Sequence, residues 1–136
     1  MKCVMIVDGS LPMGIIANTT AALGISLASE TKNLIGKKIA DKDDRIHEGI
    51  TNIPIPILTL SKEEIKEKYD ILLENKDPEI QVIGFSEVAQ KSLSYDDYEI
   101  KLSAMNRQQI NYLGLCLYGP KKKINKLTGN LKMLRG

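Results

Sequence analysis

Five apolar residues in unbroken succession, Cys3-Val4-Met5-Ile6-Val7, constrain the fold more than any other feature of this sequence. A strand with one wet face alternates apolar and polar side chains, whereas a strand without alternation is covered on both faces and belongs inside a sheet. The run ends in Asp8-Gly9-Ser10-Leu11-Pro12-Met13-Gly14, where glycines permit unusual dihedrals and Pro12 pre-sets a first helical turn. A helix to about Ser29 follows. Ile16, Thr20, Leu23 and Leu27 keep the helical period, and Ala17, Ala21, Ala22 and Gly24 are small enough for a neighbouring backbone to approach, which predicts a mostly buried helix.

The remaining chain alternates in the same way. Residues 33–52 are polar and mixed, with Asp41-Lys42-Asp43-Asp44 as a turn between two short extended pieces. Ile53 to Leu60 reads as a strand, but Pro54 and Pro56 remove donors from one side, which predicts an edge strand or an extended approach to one. Ser61-Lys62-Glu63-Glu64 has the capping-box pattern and opens a helix to about Asn75. Ile80 to Phe85 is a third strand, short helices follow near Ser86 to Leu93 and Tyr95 to Met105, and Ser94 with Asp97 offers a second cap. Ile110 to Tyr118 is the last strand, and Gly119-Pro120 opens a final helix that Gly129 closes. Alternating strands and helices predict one α/β domain, a three-layer α/β/α arrangement around a mixed, mainly parallel four-stranded sheet.

Composition narrows the function classes. The longest apolar stretches are roughly half of what a bilayer-spanning helix needs, and the N-terminal run is too brief for a signal-peptide core, so a cytoplasmic protein without a membrane role is expected. Cys3 and Cys116, each inside an apolar run, read as buried free thiols rather than a disulfide framework. With His47 as the single histidine, no metal site and no cofactor is expected. Charge is unevenly placed: no acidic residue follows Glu99, while eight basic residues do, leaving 11 basic against 17 acidic before them and +2 for the whole chain. A basic end on an acidic chain points to an anionic partner.

Two segments resemble a known family. Lys2 to Asp8 through Leu11-Pro12-Met13-Gly14 is similar to the start of the type II peptidyl-tRNA hydrolases, and Leu115-Cys116-Leu117-Tyr118-Gly119-Pro120 through Lys126-Leu127-Thr128-Gly129-Asn130-Leu131-Lys132 is similar to their last strand and helix. The resemblance implies a peptidyl-tRNA hydrolase II-like fold. The whole chain looks more like a bacterial family known only as a domain of unknown function, which shares phrases such as Ile53-Pro54-Ile55-Pro56 and Tyr112-Leu113-Gly114. The hydrolases carry a lysine after the Met-Gly, a histidine along the first helix and an Asp-Ala-Gly-x-Thr-Gln stretch before the last strand. Here Ile15-Ile16, Asn18-Thr19-Thr20 and Asn106-Arg107-Gln108-Gln109 stand in those places, so the family's reaction is not expected.

In open α/β sheets ligands sit beyond the carboxyl ends of the strands. That rule selects the loop 9–14 and the Gly119-Pro120 turn with its three lysines, whose charge opposes the dipole of the final helix. The expected site holds a small anionic or phosphorylated group between them, with Ser10, Met13, Gly14, Asn18, Thr19, Gly119, Lys121, Lys122 and Lys123 as contacts. The favoured function is an anion-binding or accessory domain. Two alternatives stand open: a hydrolase acting on peptidyl- or aminoacyl-tRNA esters with other residues, and a homodimeric structural module suggested by the small-residue helix and the Ile53 to Leu60 edge. The basic end also suits RNA, although 4% aromatic content leaves few rings for base stacking.

Overall fold

The computed structural model describes residues 1–135. The first strand, β1 (Lys2–Val7), is buried from Cys3 to Val7, as its unbroken apolar run requires. Helix α1 (Met13–Glu30) follows, then a two-stranded ribbon of β2 (Ile39–Ala40) and β3 (Ile46–His47) with Asp41 to Asp44 at its tip. Next come β4 (Ile57–Thr59), α2 (Lys62–Asn75), β5 (Gln81–Ser86), α3 (Glu87–Lys91) and α4 (Tyr95–Ser103). A short 3-10 turn at Arg107–Gln109 leads to β6 (Tyr112–Gly119), α5 (Lys121–Thr128) and β7 (Lys132–Met133).

Helix starts are set locally, by prolines ahead of α1 and α5 and by serines at the other three. The capping box of α2 is complete: the Glu64 N–H donates to Ser61 Oγ and the Ser61 N–H to Glu64 Oε1, both at 3.2 Å. Ser86 accepts from the Ala89 N–H (3.1 Å) to start α3, and Ser94 from the Asp97 N–H (3.1 Å) to start α4. The Gly129 N–H closes α5 on the Asn125 carbonyl at 2.8 Å.

The main sheet has the order β5-β6-β1-β4-β7, five strands rather than four. Only β1 and β4 run parallel, while β6 is antiparallel to both β5 and β1, and β7 is antiparallel to β4. The sheet is therefore mixed but mainly antiparallel, which corrects the expectation of mainly parallel strands. A continuous apolar run reports burial on both faces, and helices on each side supply that burial to an antiparallel sheet as well. The proline-flanked strand is not an edge either. Pro54 and Pro56 precede β4 as an extended approach, Pro56 accepting from the Met5 N–H at 3.0 Å, and β7 covers the outer side of β4.

Helices cover both faces. Leu23 and Leu27 of α1 pack with Cys3, Met5 and Cys116 on one side; Ile65 and Leu72 of α2 and Ile124 of α5 pack with Val4, Ile6, Leu115 and Leu117 on the other. Each such buried aliphatic side chain contributes about 1.5–3 kcal/mol. Helix α1 is one-sided rather than mostly buried: Ile16, Thr19, Leu23 and Leu27 form its inner stripe, and Thr19, not Thr20, faces the sheet. Its seat is Gly114, where a Cβ would lie 2.7 Å from Thr19 Cγ2 and 3.0 Å from the Ile6 carbonyl. Tyr112 and Tyr118, of like parity, lie on opposite faces. The β5–β6 register shifts by one residue between Phe85 and Ser86, so Tyr112 joins the α2 side and stacks on Tyr69 at 4.3 Å, while Tyr118 packs toward α1.

Candidate ligand-binding cavity

The two loops expected to share a site lie at opposite ends of the sheet. Lys2 pairs with Gly119 and Val7 with Gly114, so the Gly119 turn sits beside the start of β1 and the loop 9–14 follows its end, about 20 Å away along the strand. The antiparallel direction of β6 causes the separation; a parallel β6 would have brought the two turns to one rim. No single hollow holds the nine expected contacts.

Each of those residues has an identifiable local role or setting. Asp8 Oδ1 accepts from Ser10 N–H (2.9 Å) and Ser10 Oγ–H (2.6 Å), a closed turn that uses the serine internally. Met13 and Gly14 begin α1 exposed to solvent. The Asn18 amide donates to Gln90 Oε1 at 2.9 Å, tying α1 to α3. Thr19 is fully buried, its hydroxyl donating to the Ile15 carbonyl at 2.8 Å, so it is a packing residue. Gly119 is a buried strand residue, glycine because a Cβ would meet the Glu79 carbonyl at 2.8 Å. Lys121 and Lys122 are exposed, and only Lys123 turns into a cavity.

The carboxyl ends of the parallel pair β1 and β4 do form a crevice of about 770 Å³, where the chain departs to α1 on one face and to α2 on the other. Topology marks this as a ligand position. Its charge argues otherwise for an anion. Asp8, Glu63 and Glu64 line it against Lys62 and Lys132, a net −1, and Asp8, Ser61 and Glu64 are already engaged in the turn and the capping box.

The other end of the molecule carries a cavity of about 760 Å³ between the close of α2, residues 76–82 and α5. Leu72, Ile80, Val82 and Leu127 give it an apolar floor, and Lys76, Asp77, Lys123 and Lys126 give it a charged rim of net +2. Lys123 Nζ donates to Asp77 Oδ2 at 2.7 Å and to Glu79 Oε1 at 2.9 Å. The Lys123 ammonium, followed by the Glu79 N–H, holds the Asp77 carboxyl below its ordinary range, and the two carboxylates raise the lysine in turn. Lys76 holds the left-handed cap of α2 at φ 47° and ψ 46°. Neither Lys76 nor Lys126 has an ion-pair partner among the described residues. Burial lowers the proton affinity of Lys68, whose Nζ reaches the Leu127 carbonyl at 2.8 Å and pins α2 to α5 behind the floor. Lys76 and the apolar floor carry no signal in the sequence that joins them to Lys126. Lys126 was visible as part of the acid-free end, and Leu72 of the α2 stripe lines the hollow.

Comparison with known proteins places the chain without assigning an activity. The family described as "Protein of unknown function (DUF2000)" matches residues 1–135. A protein of unknown function from Agrobacterium tumefaciens strain C58 has a similar structure, with a TM-score of 0.85, 19% sequence identity and coverage of 97% of this chain and 96% of that one. That likeness concerns the fold alone. No curated protein matches the sequence. No helix among the described residues is long and apolar enough to cross a membrane.

Proposed function

The chain belongs to the family Protein of unknown function (DUF2000), and on that premise we propose that it is a ligand-binding domain for an amphipathic anion, an apolar body carrying a carboxylate or phosphate, held in the cavity between α2 and α5. The single observation behind this reading is the pairing of an apolar floor, Leu72, Ile80, Val82 and Leu127, with the unpaired ammonium groups of Lys76 and Lys126. An apolar pocket with a few converging polar groups is the usual form of a small-molecule site. The floor would take the apolar body by burial, and the lysines would fix the head by charge-assisted hydrogen bonds. Binding is favoured over hydrolysis because α1 offers Ile15, Ile16 and the engaged Asn18 and Thr19 where the peptidyl-tRNA hydrolases carry a lysine and a histidine. The three-layer arrangement is in keeping with a peptidyl-tRNA hydrolase II-like fold, and that kinship is part of the proposal.

The test is calorimetric titration of the full chain with decanoate, with decanol and inorganic phosphate as arms that supply only the body or only the head. Decanoate is expected to bind, and each of Lys76→Gln and Lys126→Gln to weaken it about three- to tenfold, as the loss of one charge-assisted contact implies. Equal affinity for decanoate and decanol, or variants that bind as the parent does, would refute the reading.

A further inference from the structure

The protein exposes 9171 Å² of accessible surface, whereas a compact monomer of its 15.1 kDa exposes about 7,100 Å², an excess of about 2,100 Å². The excess has an evident source. From Ile35 to Asn52 every residue except Gly49 is exposed, an arm anchored at its base by buried Leu34 and half-buried Ile53 against the α1 side of the core.

The arm is a two-stranded ribbon in a single register: Ile35 pairs with Thr51, Ile39 with His47 and Ala40 with Ile46. Opposed Lys38 and Glu48 form an ion pair at 3.4 Å, and the Gly36 N–H donates to the Ile50 carbonyl at 2.8 Å. At the tip Asp41 accepts from the Asp43 and Arg45 N–H groups and meets His47 Nε2 at 2.8 Å. This register puts Ile35 and Ile39 on one face and Ile46 and Ile50 on the other. They are 55%, 62%, 59% and 76% exposed, so both faces of the ribbon present isoleucine to water. An isolated two-stranded ribbon is marginal in water, and four uncovered isoleucines on so short a piece call for a cover on each side.

We propose that this ribbon is a dimerisation arm, and that its occupant is a second copy of this chain related by a twofold axis, each copy covering the arm of the other. Two observations select a second copy over another partner. The excess surface per chain falls within the range of about 1,000–2,500 Å² that each partner of an obligate homodimer buries. The arm's charged residues are also balanced, Lys37, Lys38, Lys42 and Arg45 against Asp41, Asp43, Asp44 and Glu48. A nucleic acid or an anionic membrane demands a basic surface, whereas a neutral surface bearing both signs can complement itself across a twofold axis. The arm lies apart from the α2–α5 cavity, and the two proposals stand independently.

Sedimentation equilibrium of the full chain, from about 5 to 200 µM, is expected to give about 30 kDa, twice the chain mass. The variant Ile39→Lys with Ile50→Lys, one change on each face, is expected to sediment at half that mass with an unchanged circular dichroism spectrum. Hydrogen exchange on the unaltered protein needs no variant to fold: dilution through the dissociation constant is expected to speed exchange at residues 35–51 and leave the buried strands β1 and β6 unchanged. A parent chain that stays at 15.1 kDa throughout would assign the arm to a different partner and overturn the proposal. A folded double variant that remains dimeric, or protection at the free β5 edge in place of the arm, would overturn it too.

Discussion

Replacing Gly114 by alanine tests how α1 is seated and whether Thr19 belongs to packing. The added Cβ would lie 2.7 Å from Thr19 Cγ2, 3.0 Å from the Ile6 carbonyl and 3.2 Å from Val7 Cγ1. Carbon atoms in contact stand about 3.5–4.0 Å apart, so the first overlap alone approaches 1 Å. Ile6 cannot withdraw, being paired to Leu58 on one side and Leu115 on the other. Relief must come from α1 moving outward, which loosens Ile16 and Leu23 as well. Overpacking of this kind costs about 1–3 kcal/mol, and in a domain of this size each kcal/mol lowers Tm by roughly 3–5 °C. Thr19→Ser removes the offending methyl and keeps the hydroxyl bond to Ile15, at a cost of about 1 kcal/mol for the buried methyl it deletes. In the double variant that methyl is no longer in the way, so the combined loss should fall short of the sum of the single losses by about 1 kcal/mol. Urea unfolding followed by circular dichroism measures all four corners of the cycle. Strictly additive losses, or a neutral Gly114→Ala, would show that α1 does not rest on this contact.

Two further outcomes follow from charge and burial. The carboxyls of Asp41, Asp77 and Asp97 are held below their ordinary 3.8 by His47, Lys123 and Lys101, respectively, so their contribution is present above that value and is lost as pH falls through the lower folded values. Lys123 is raised above its ordinary 10.5 by Asp77 and Glu79, so its contribution is complete below that value and is lost as pH rises beyond it. Urea midpoints should therefore be flat from about pH 5 to 9 and fall at both extremes, and Lys123→Met should blunt both declines; a midpoint unchanged down to pH 2 would contradict the assignment. Cys3 and Cys116 are fully buried with their sulfurs 3.8 Å apart, and hydrogen bonding to Cys3 together with burial pushes the Cys116 thiol up. A chromogenic disulfide reagent should leave both unmodified in the folded protein and titrate two thiols in denaturant. Prompt reaction under native conditions would mean that β1 and β6 separate locally.

Local chemistry was legible in the sequence, and long-range direction was not. The capping box at Ser61, the cap at Ser94, the turn at Asp41 to Asp44 and the bounds of α1 and α2 depend on residues within a few positions of one another, and the chain forms them as its spacing predicts. Asp97 serves the cap as expected of a first-turn carboxylate, accepting from the Leu93 N–H at 3.1 Å and pairing with Lys101 at 2.9 Å. The direction of β6 depends instead on how the chain returns from β5. The intervening 25 residues hold α3, α4 and a 3-10 turn, a length that suits a parallel crossover, yet these pieces bring β6 back antiparallel beside β5. Strand β7, two residues long, is too short for any periodicity to register. The nine expected contacts are divided between two ends of the sheet by the direction of β6, because their joint placement rested on it.

The acid-free end shows how charge along a chain differs from charge in space. Read linearly, eight late basic residues against an acidic remainder call for an anionic partner. In the fold three of the eight are met internally: Lys101 pairs with Asp97, Arg107 with Glu74 at 3.7 Å, and Lys123 with Asp77 and Glu79. The three lysines that oppose the dipole of α5 are accordingly not a common anion trap, since one of them is spent on the carboxylates that follow α2. What remains is positional. Lys126 stands with Lys76 at the mouth of an apolar hollow, and those two come from segments 50 residues apart that no charge count along the sequence would join. An exposed lysine on a flat surface is screened and contributes little, whereas one beside apolar walls acts on a head group whose chain is already buried. Removing the apolar floor should therefore weaken the grip of the lysines, and the effects of Val82→Ser and Lys126→Gln on decanoate affinity should be coupled rather than additive.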